Sequence, residues 1–184
     1  VLKVYIWFII VGMIIFDIDI LIGGSNLSVA DLTIDPLFQA VSLLSSTGIT
    51  EPDFHDWGSL SVVMLIIMML VGASAGSTSG GAKIDRFVIL FKFLKNEFYK
   101  MMHPGAVTTV SLNGKGTQTS IVNKTLAFLF MYIIIIVLGG VLLSLMGMEL
   151  SEGFFCALQA ISNTGLGSDA TGVNGDYSLV SDGA

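Results

Sequence analysis

The sequence has few charged residues and a single cysteine. Charged residues make up 12% of the 184 residues and hydrophobic residues 53%, whereas a typical soluble domain carries about 25% charged residues. The lone Cys156 excludes a disulfide framework and a cysteine-based metal site within the chain, and we expect it to be a small buried residue on a helix. The mean hydropathy of +0.85 indicates a membrane protein.

The few charges are separated along the chain by sign. Seven of the eight lysines and arginines lie between residues 83 and 124, and the eighth is Lys3. Acidic residues gather around residues 31–56 and 169–182. Because the cytoplasmic loops of membrane proteins carry the excess of Lys and Arg, the linker over residues 100–124 is predicted to be cytoplasmic and the acidic stretches to lie outside.

Two apolar runs, residues 4–22 and 125–147, have the length of about 20 residues that a bilayer span needs. Asp17 and Asp19, near the end of the first run, are expected to lie at the water boundary or to face a polar cavity, since charge at the bilayer centre is costly.

Shorter helices are predicted over residues 36–45, 59–71 and 149–162, none of which reaches across the membrane alone. Asp35 and Pro36 predict the N-cap and first position of the first short helix, and Ser151 is a candidate N-cap of the last. The first and last must enter the membrane and turn back.

One stretch of the sequence occurs twice in similar form. Residues 38–50 (FQAVSLLSSTGIT) recur 117 positions later as residues 155–167 (FCALQAISNTGLG), and each copy follows a long apolar run. The positions that are identical in the two copies are Phe38, Ala40, Ser45, Thr47 and Gly48 of the first. Such self-similarity indicates a repeated structural unit, and the charge pattern places both copies on the same side of the membrane.

A short helix that ends in Ser/Thr and Gly within the membrane is typical of a pore loop. Backbone carbonyls arranged in rings replace the hydration shell of a potassium ion, and glycine supplies the unusual backbone angles at no steric cost. Each copy has one such glycine, which predicts looser selectivity than a filter with two. The alternative is a pair of helix–turn–helix connections in which glycine serves as an ordinary C-cap.

The 59–71 helix is followed by a Gly/Ser-rich tract, GASAGSTSGGAK, over residues 72–83. Non-helical backbone at membrane depth is tolerated only inside protein or beside a water-filled cavity. The tract is therefore expected to line a wet passage or to pack closely against other helices through its small residues.

The sequence resembles the Trk/Ktr/HKT superfamily of potassium transporters, in particular the bacterial TrkH-type membrane subunit. The motifs that carry the resemblance are SSTGIT, GASAGSTSGGAKIDRF, FYKMMHPGAV with LNGK, and SNTGLG. It implies an all-α integral membrane protein with repeated helix–pore loop–helix units around a central ion pore. The chain would hold the third of four repeats over residues 1–99, the cytoplasmic linker over 100–124, and the first helix and pore loop of the fourth repeat with a polar tail over 125–184.

The resemblance also assigns sites. The predicted selectivity filter comprises Ser46, Thr47, Gly48, Ile49, Asn163, Thr164, Gly165 and Leu166. Within it, potassium would be bound by the backbone carbonyls of Thr47, Gly48, Thr164 and Gly165. The predicted gate loop comprises Gly72, Ala73, Ser74, Ala75, Gly76, Ser77, Thr78, Ser79, Gly80 and Gly81.

The function that the resemblance implies is potassium uptake across the cell inner membrane, with no cofactor in this chain and potassium as the transported ion. The sequence leaves open whether the ion moves by channel-like flux or by ion-coupled symport. The implied partners are the lipid bilayer, the remaining repeats of the transporter, a second copy in a homodimer and a cytosolic nucleotide-binding regulatory subunit, with no nucleic acid.

A rival hypothesis comes from residues 72–76, which match the G-x-S-x-G pattern of a serine nucleophile. Ser74 would then be the nucleophile of a rhomboid-like intramembrane protease. Such a serine needs a base within hydrogen-bond reach, and the two histidines, His55 and His103, both lie outside the predicted spans. The sequence therefore favours a transporter that performs no chemical catalysis.

Overall fold

The computed structural model describes residues 1–22, 29–49, 58–112 and 114–166. These residues form helices and one short antiparallel ribbon. The helices are α1 (Leu2–Ile22), α2 (Val29–Leu44), α3 (Ser59–Val71), α4 (Ile84–Met102), α5 (Thr119–Leu145) and α6 (Leu150–Ser162), and the ribbon pairs β1 (Ser111–Leu112) with β2 (Lys115–Gly116).

Helices α1 and α5 are each long enough and apolar enough to cross a membrane. At 1.5 Å per residue they measure about 31 Å and 40 Å, against a hydrocarbon core of about 30 Å. Helix α5 begins at Thr119, six residues before the apolar run at 125, because the polar residues at a water boundary can continue a helix that the hydropathy pattern does not mark.

Helix α2 begins at Val29 and contains Pro36 in its interior, so the prediction that Asp35 caps this helix and Pro36 opens it was wrong. Proline lacks a backbone N–H and disfavours helical geometry at the residue before it. It does not forbid a helical turn ahead of it, and here the turn is retained. The 16-residue helix is about 24 Å long, which is still short of a full span.

Helix α6 begins at Leu150 with Glu149 as its N-cap, and the prediction of Ser151 as the cap was also wrong. The N–H of Gly153 donates to the carbonyl oxygen of Glu149 at 2.8 Å, so the first helical turn already encloses Ser151. Cys156 is buried on this helix, as expected.

Helix α3 occupies the predicted residues 59–71, and α4 ends at Met102, directly before His103. In the ribbon that follows α4, Ser111 and Leu112 pair with Gly116 and Lys115. The basic linker predicted over 100–124 thus contains the end of α4, the ribbon and the start of α5.

The core lies where the short helices meet the spans. Helix α1 packs against α2 and α3, α3 packs also against α6, and α6 packs along α5. The largest fully buried apolar side chains are Phe16, Leu43, Leu44, Leu65, Met68, Met69 and Leu166. The C-terminal ends of α2 and α6, which fall within the repeated stretches, therefore lie around a common core.

Candidate functional site

The first repeated stretch contains the C-terminal end of α2, whose last carbonyl groups are hydrogen-bonded. The N–H of Ser46 donates to the carbonyl oxygen of Leu43 at 3.0 Å, and the N–H of Thr47 donates to that of Ser42 at 2.9 Å. Together with the left-handed conformation of Ser46 (φ 55°), these two bonds form a Schellman motif, which satisfies carbonyls that a helix end otherwise leaves unpaired.

The second repeated stretch has the same helix end 117 residues later. The N–H of Asn163 donates to the carbonyl oxygen of Ala160 at 3.3 Å, and that of Thr164 donates to Gln159 at 3.1 Å. Asn163 is left-handed with φ 53°. The sequence repeat is therefore also a repeat of backbone geometry.

In both copies the glycine lies two residues beyond the left-handed residue that ends the helix. Gly48 has φ 69° and Gly165 has φ 70°. The left-handed residues that close the ends of α2 and α6 are Ser46 and Asn163. The alternative in which glycine serves as the C-cap is thus wrong, because another residue occupies that position. Each stretch makes two left-handed turns within three residues, a conformation that glycine adopts without strain.

Matching hydroxyl pairs brace the two stretches. Ser45 Oγ lies 2.8 Å from Thr47 Oγ1, and Ser162 Oγ lies 2.8 Å from Thr164 Oγ1. The second pair is buried, whereas the first is partly open to solvent. Side-chain bonds across each turn hold the Thr-Gly backbone in a defined shape.

The outer residues of the predicted filter differ in exposure. Ile49 has an exposed side chain, and its carbonyl oxygen accepts a hydrogen bond from Ser42 Oγ at 2.7 Å. Leu166, its counterpart in the second copy, is fully buried. Ser42 was not singled out from the sequence, since its partner Ile49 lies beyond the end of α2, where helical periodicity no longer applies.

The two stretches meet at their backbones. A β-carbon placed on Gly48 would lie 1.7 Å from the carbonyl oxygen of Thr164, so only glycine fits there. Ser46 Oγ also donates to the carbonyl oxygen of Ser162 at 3.3 Å. The structure thus brings the two predicted halves of the site into direct contact.

The Gly/Ser tract forms an irregular loop whose two ends are pinched together. Gly72 and Gly81 both have positive φ, and a β-carbon on Gly81 would lie 3.0 Å from the α-carbon of Gly72. The N–H of Ala82 donates to the carbonyl oxygen of Leu70 at 3.0 Å. Helix α3 therefore ends and α4 begins side by side, with the tract projecting between them.

The C-terminal part of this loop contacts both repeated stretches. The N–H of Gly80 donates to Ser46 Oγ at 3.0 Å. A β-carbon on Gly80 would lie 1.7 Å from the carbonyl oxygen of Ser162. The three predicted segments of the site therefore converge around Gly80.

Lys83 folds its side chain back over the loop. Its ammonium donates to the carbonyl oxygen of Ser77 at 3.0 Å and to the carbonyl oxygen of Ser79, with the hydroxyls of both serines within 3.4 Å. The two hydroxyls also bond each other at 2.7 Å. The ammonium group thus bonds two carbonyl oxygens and two hydroxyl oxygens of the loop.

Two further charged side chains fix the loop to its surroundings. Asp85 accepts a hydrogen bond from the N–H of Ala75 at 2.5 Å. Arg86 donates to the carbonyl oxygen of Ala82 at 2.9 Å and lies 3.7 Å over the ring of Phe128 on α5, a cation–π contact. Neither role was predicted from the sequence, although the position of both charged residues directly after the glycine-rich tract indicated a possible contact with it.

Ser74 lies near the start of α4, where Asp85 bonds the neighbouring Ala75. His103 contacts Tyr99 edge-on at the opposite end of α4, about 28 Å along the helix. His55 lies outside the described residues. The protease hypothesis is therefore not favoured.

The chain is similar to known transport proteins. Residues 10–174 match the family model of TrkH, described as a cation transport protein. The chain is 33% identical over 138 residues to the Trk system potassium uptake protein TrkG of Escherichia coli strain K12, an alignment that covers 75% of this chain and 28% of TrkG. It is 30% identical over 131 residues to the Trk system potassium uptake protein TrkH of Vibrio parahaemolyticus, covering 71% and 27% of the two chains.

A solved structure shares the fold. The crystal structure of the potassium transporter TrkH from Vibrio parahaemolyticus aligns with a TM-score of 0.84 at 24% identity, over 97% of this chain and 39% of that one. The predicted helical membrane-transporter fold is thereby confirmed. The chain spans 28% or less of the length of the two curated relatives.

Proposed function

The chain belongs to the TrkH family of cation transport proteins, and from this membership we propose that the transporter of which it forms part takes up potassium across the cell inner membrane. The observation that carries the proposal is the backbone contact between the two Thr-Gly stretches, at Gly48 and Thr164. We propose that these stretches are two adjacent walls of one selectivity filter.

The chemistry of the two stretches suits a monovalent cation. Each follows the C-terminal end of a short helix, where the helix dipole is negative. Left-handed turns at Ser46 and Gly48, and at Asn163 and Gly165, allow successive carbonyls to face one side. The carbonyls of Thr47, Gly48, Thr164 and Gly165 are then the proposed potassium ligands, with the other two walls supplied by the remaining repeats.

The Gly/Ser tract over residues 72–81 is proposed to be the gate. Its irregular backbone, its charged anchors and its contact with Ser46 and Ser162 at Gly80 support this role. A loop in contact with a filter obstructs ion passage, and a loop held by hydrogen bonds rather than by packing can be displaced. Dense small-residue packing alone would not account for the bonds made by Lys83.

The proposed partners follow from the surfaces. The exposed apolar side chains of α1 and α5 suit the lipid bilayer and the remaining repeats, and family membership suggests a homodimer. The lysines of α4 and of the linker are proposed to contact a cytosolic nucleotide-binding regulatory subunit. Neither chemical catalysis nor nucleic-acid binding is part of the proposed function.

Rubidium uptake by the purified full-length transporter in liposomes tests this function. We expect uptake that excess potassium inhibits more strongly than excess sodium. Gly165→Ser should lower this preference, because serine at φ 70° distorts the carbonyls on either side.

Gly114 offers a matched control. It has φ 80° and, like Gly165, has no atom within 4 Å of the position of a β-carbon, but it lies in the β1–β2 turn. Gly114→Ser carries the same backbone strain and should leave ion preference unchanged. Uptake with no preference for potassium in the unsubstituted protein, or an unchanged preference in Gly165→Ser, would refute the proposed filter.

A further inference from the structure

The hydroxyl of Ser46, in the first repeated stretch, bonds both the Gly/Ser tract and the second repeated stretch. It accepts the N–H of Gly80 at 3.0 Å and donates to the carbonyl oxygen of Ser162 at 3.3 Å. A serine hydroxyl has one hydrogen to donate and two lone pairs to accept. The hydroxyl hydrogen therefore bonds Ser162, and one oxygen lone pair accepts the hydrogen bond from Gly80.

The backbone of Ser46 sets the direction of this hydroxyl. The residue is left-handed with φ 55° and closes the Schellman motif of α2. Non-glycine residues adopt this conformation uncommonly, and asparagine does so more readily than serine. Asn163 occupies the equivalent position of the second copy. Serine is therefore a strained choice at position 46, and its two hydrogen bonds offset the strain.

The contact at Gly80 is close enough to exclude any side chain at that position while the loop is docked. A β-carbon there would lie 1.7 Å from the carbonyl oxygen of Ser162, so the loop backbone lies directly against the second stretch. Any movement of the loop away from this position must break the bond between Gly80 and Ser46. It also frees the Ser46 hydroxyl to turn away from Ser162.

We propose that Ser46 is a positioning residue that couples the location of the gate loop to the relative placement of the two filter stretches. The inference rests on the proposed function and deepens it. With the loop docked, the hydroxyl holds the loop closed and fixes the Ser162 carbonyl. With the loop displaced, the two stretches lose this bridge, so opening and filter geometry change together.

Two substitutions separate the hydroxyl from the backbone strain. Ser46→Ala removes the hydroxyl and keeps the strain, whereas Ser46→Gly removes both. A net hydrogen bond is worth about 1 kcal/mol, which corresponds to about fivefold in an equilibrium constant. Both variants should therefore raise rubidium uptake by about fivefold. An increase in Ser46→Ala alone would mean that strain is responsible and would overturn the proposal.

Two further variants complete the set. Ser46→Asn supplies an amide that can accept the N–H of Gly80 and favours the left-handed conformation, so uptake should return toward the unsubstituted level. Ser59→Ala removes an exposed hydroxyl on α3, outside the proposed filter and gate, and should leave uptake unchanged. A rise in Ser59→Ala equal to that in Ser46→Ala would show that the bonds of Ser46 to Gly80 and Ser162 are not responsible and would overturn the proposal.

A readout independent of transport follows the loop itself. Ala73 is buried within the loop, and the native Cys156 is buried on α6, so a cysteine at 73 is shielded from a water-soluble thiol reagent while the loop is docked. Adding Ser46→Ala to Ala73→Cys should raise the labelling rate by about fivefold, because labelling requires displacement of the loop. A protein that takes up no rubidium would refute the proposed function while this assay still tested the coupling. An unchanged labelling rate would overturn the coupling whatever the uptake.

Discussion

The carboxylate of Asp19 on α1 accepts a hydrogen bond from the backbone N–H of Ser61 on α3, at 2.8 Å. Ser61 is the third residue of α3, where an N-cap side chain normally bonds. The N-cap of α3 is Gly58, which has no side chain to offer. A neighbouring helix therefore supplies the cap, and the buried Asp19 is explained by this bond and the positive end of the α3 dipole.

The first prediction concerns this cap from another helix. Asp19→Ala should lower the stability of the full-length transporter by about 1–2 kcal/mol, the usual cost of losing an N-cap, measured by unfolding in detergent. A β-carbon on Gly58 would lie 2.4 Å from Asp19 Oδ1. Gly58→Ala should thus be destabilising alone and less so in the Asp19→Ala background.

Ser59→Ala, at an exposed position in the first turn of α3, serves as the control and should be near neutral. Strictly additive effects of Gly58→Ala and Asp19→Ala would contradict the contact, because residues that touch show coupling in a double-mutant cycle.

The second prediction distinguishes the two glycines of the proposed filter. Gly48 and Gly165 have nearly the same φ, so alanine imposes a similar backbone strain at each. Only at Gly48 would the added methyl meet a backbone oxygen, that of Thr164, at 1.7 Å. Gly48→Ala should therefore lower the unfolding temperature of the full-length transporter more than Gly165→Ala does. Equal shifts would show that the two stretches do not touch in the intact protein.

Much of the helical architecture could be predicted because local composition determines it. The uninterrupted apolar run between Gly58 and Gly72 gave the bounds of α3 as the structure has them. The start of α2 was missed because Pro36 was taken as a beginning, whereas its effect is limited to one lost hydrogen bond and a preference at the preceding residue. Local signals mark where a helix is favoured and do not forbid its extension.

The contacts within the site could be predicted only in part. The repeat identified the Thr-Gly stretches, and the charge pattern predicted that they lie on the same side of the membrane. The bond between Ser46 and Gly80, and the cap of α3 by Asp19, join residues 34 and 42 positions apart. Such bonds depend on how the helices pack, and no periodicity in the sequence encodes which polar atom meets which.

The third prediction concerns Lys83, the charged residue that bonds the proposed gate loop. Lys83→Met keeps the length of the side chain and removes the ammonium that bonds Ser77 and Ser79. Hydrogen bonds to charged groups contribute more to stability than neutral ones do, but solvent screening reduces that contribution at this partly exposed site. Rubidium uptake should therefore rise by about threefold to tenfold. Lys95→Met on the exposed side of α4 is the matched control. An unchanged uptake in Lys83→Met would mean that this lysine does not hold the loop.

The last prediction compares two glycines whose neighbours differ in rigidity. A β-carbon on Gly153 of α6 would lie 2.9 Å from the backbone oxygen of Gly140 on α5, whereas one on Gly12 of α1 would lie 1.8 Å from the terminal methyl of Met68. A methionine side chain can rotate away, but a helix backbone cannot without separating α5 from α6.

Alanine also gains about 1 kcal/mol over glycine inside a helix, so Gly12→Ala should be near neutral or slightly stabilising. Gly153→Ala should destabilise by about 1–3 kcal/mol through overpacking, despite the longer distance. Thermal unfolding of the two full-length variants in detergent decides between them. A lower unfolding temperature for Gly12→Ala than for Gly153→Ala would mean that distance alone, and not the rigidity of the neighbour, sets the cost.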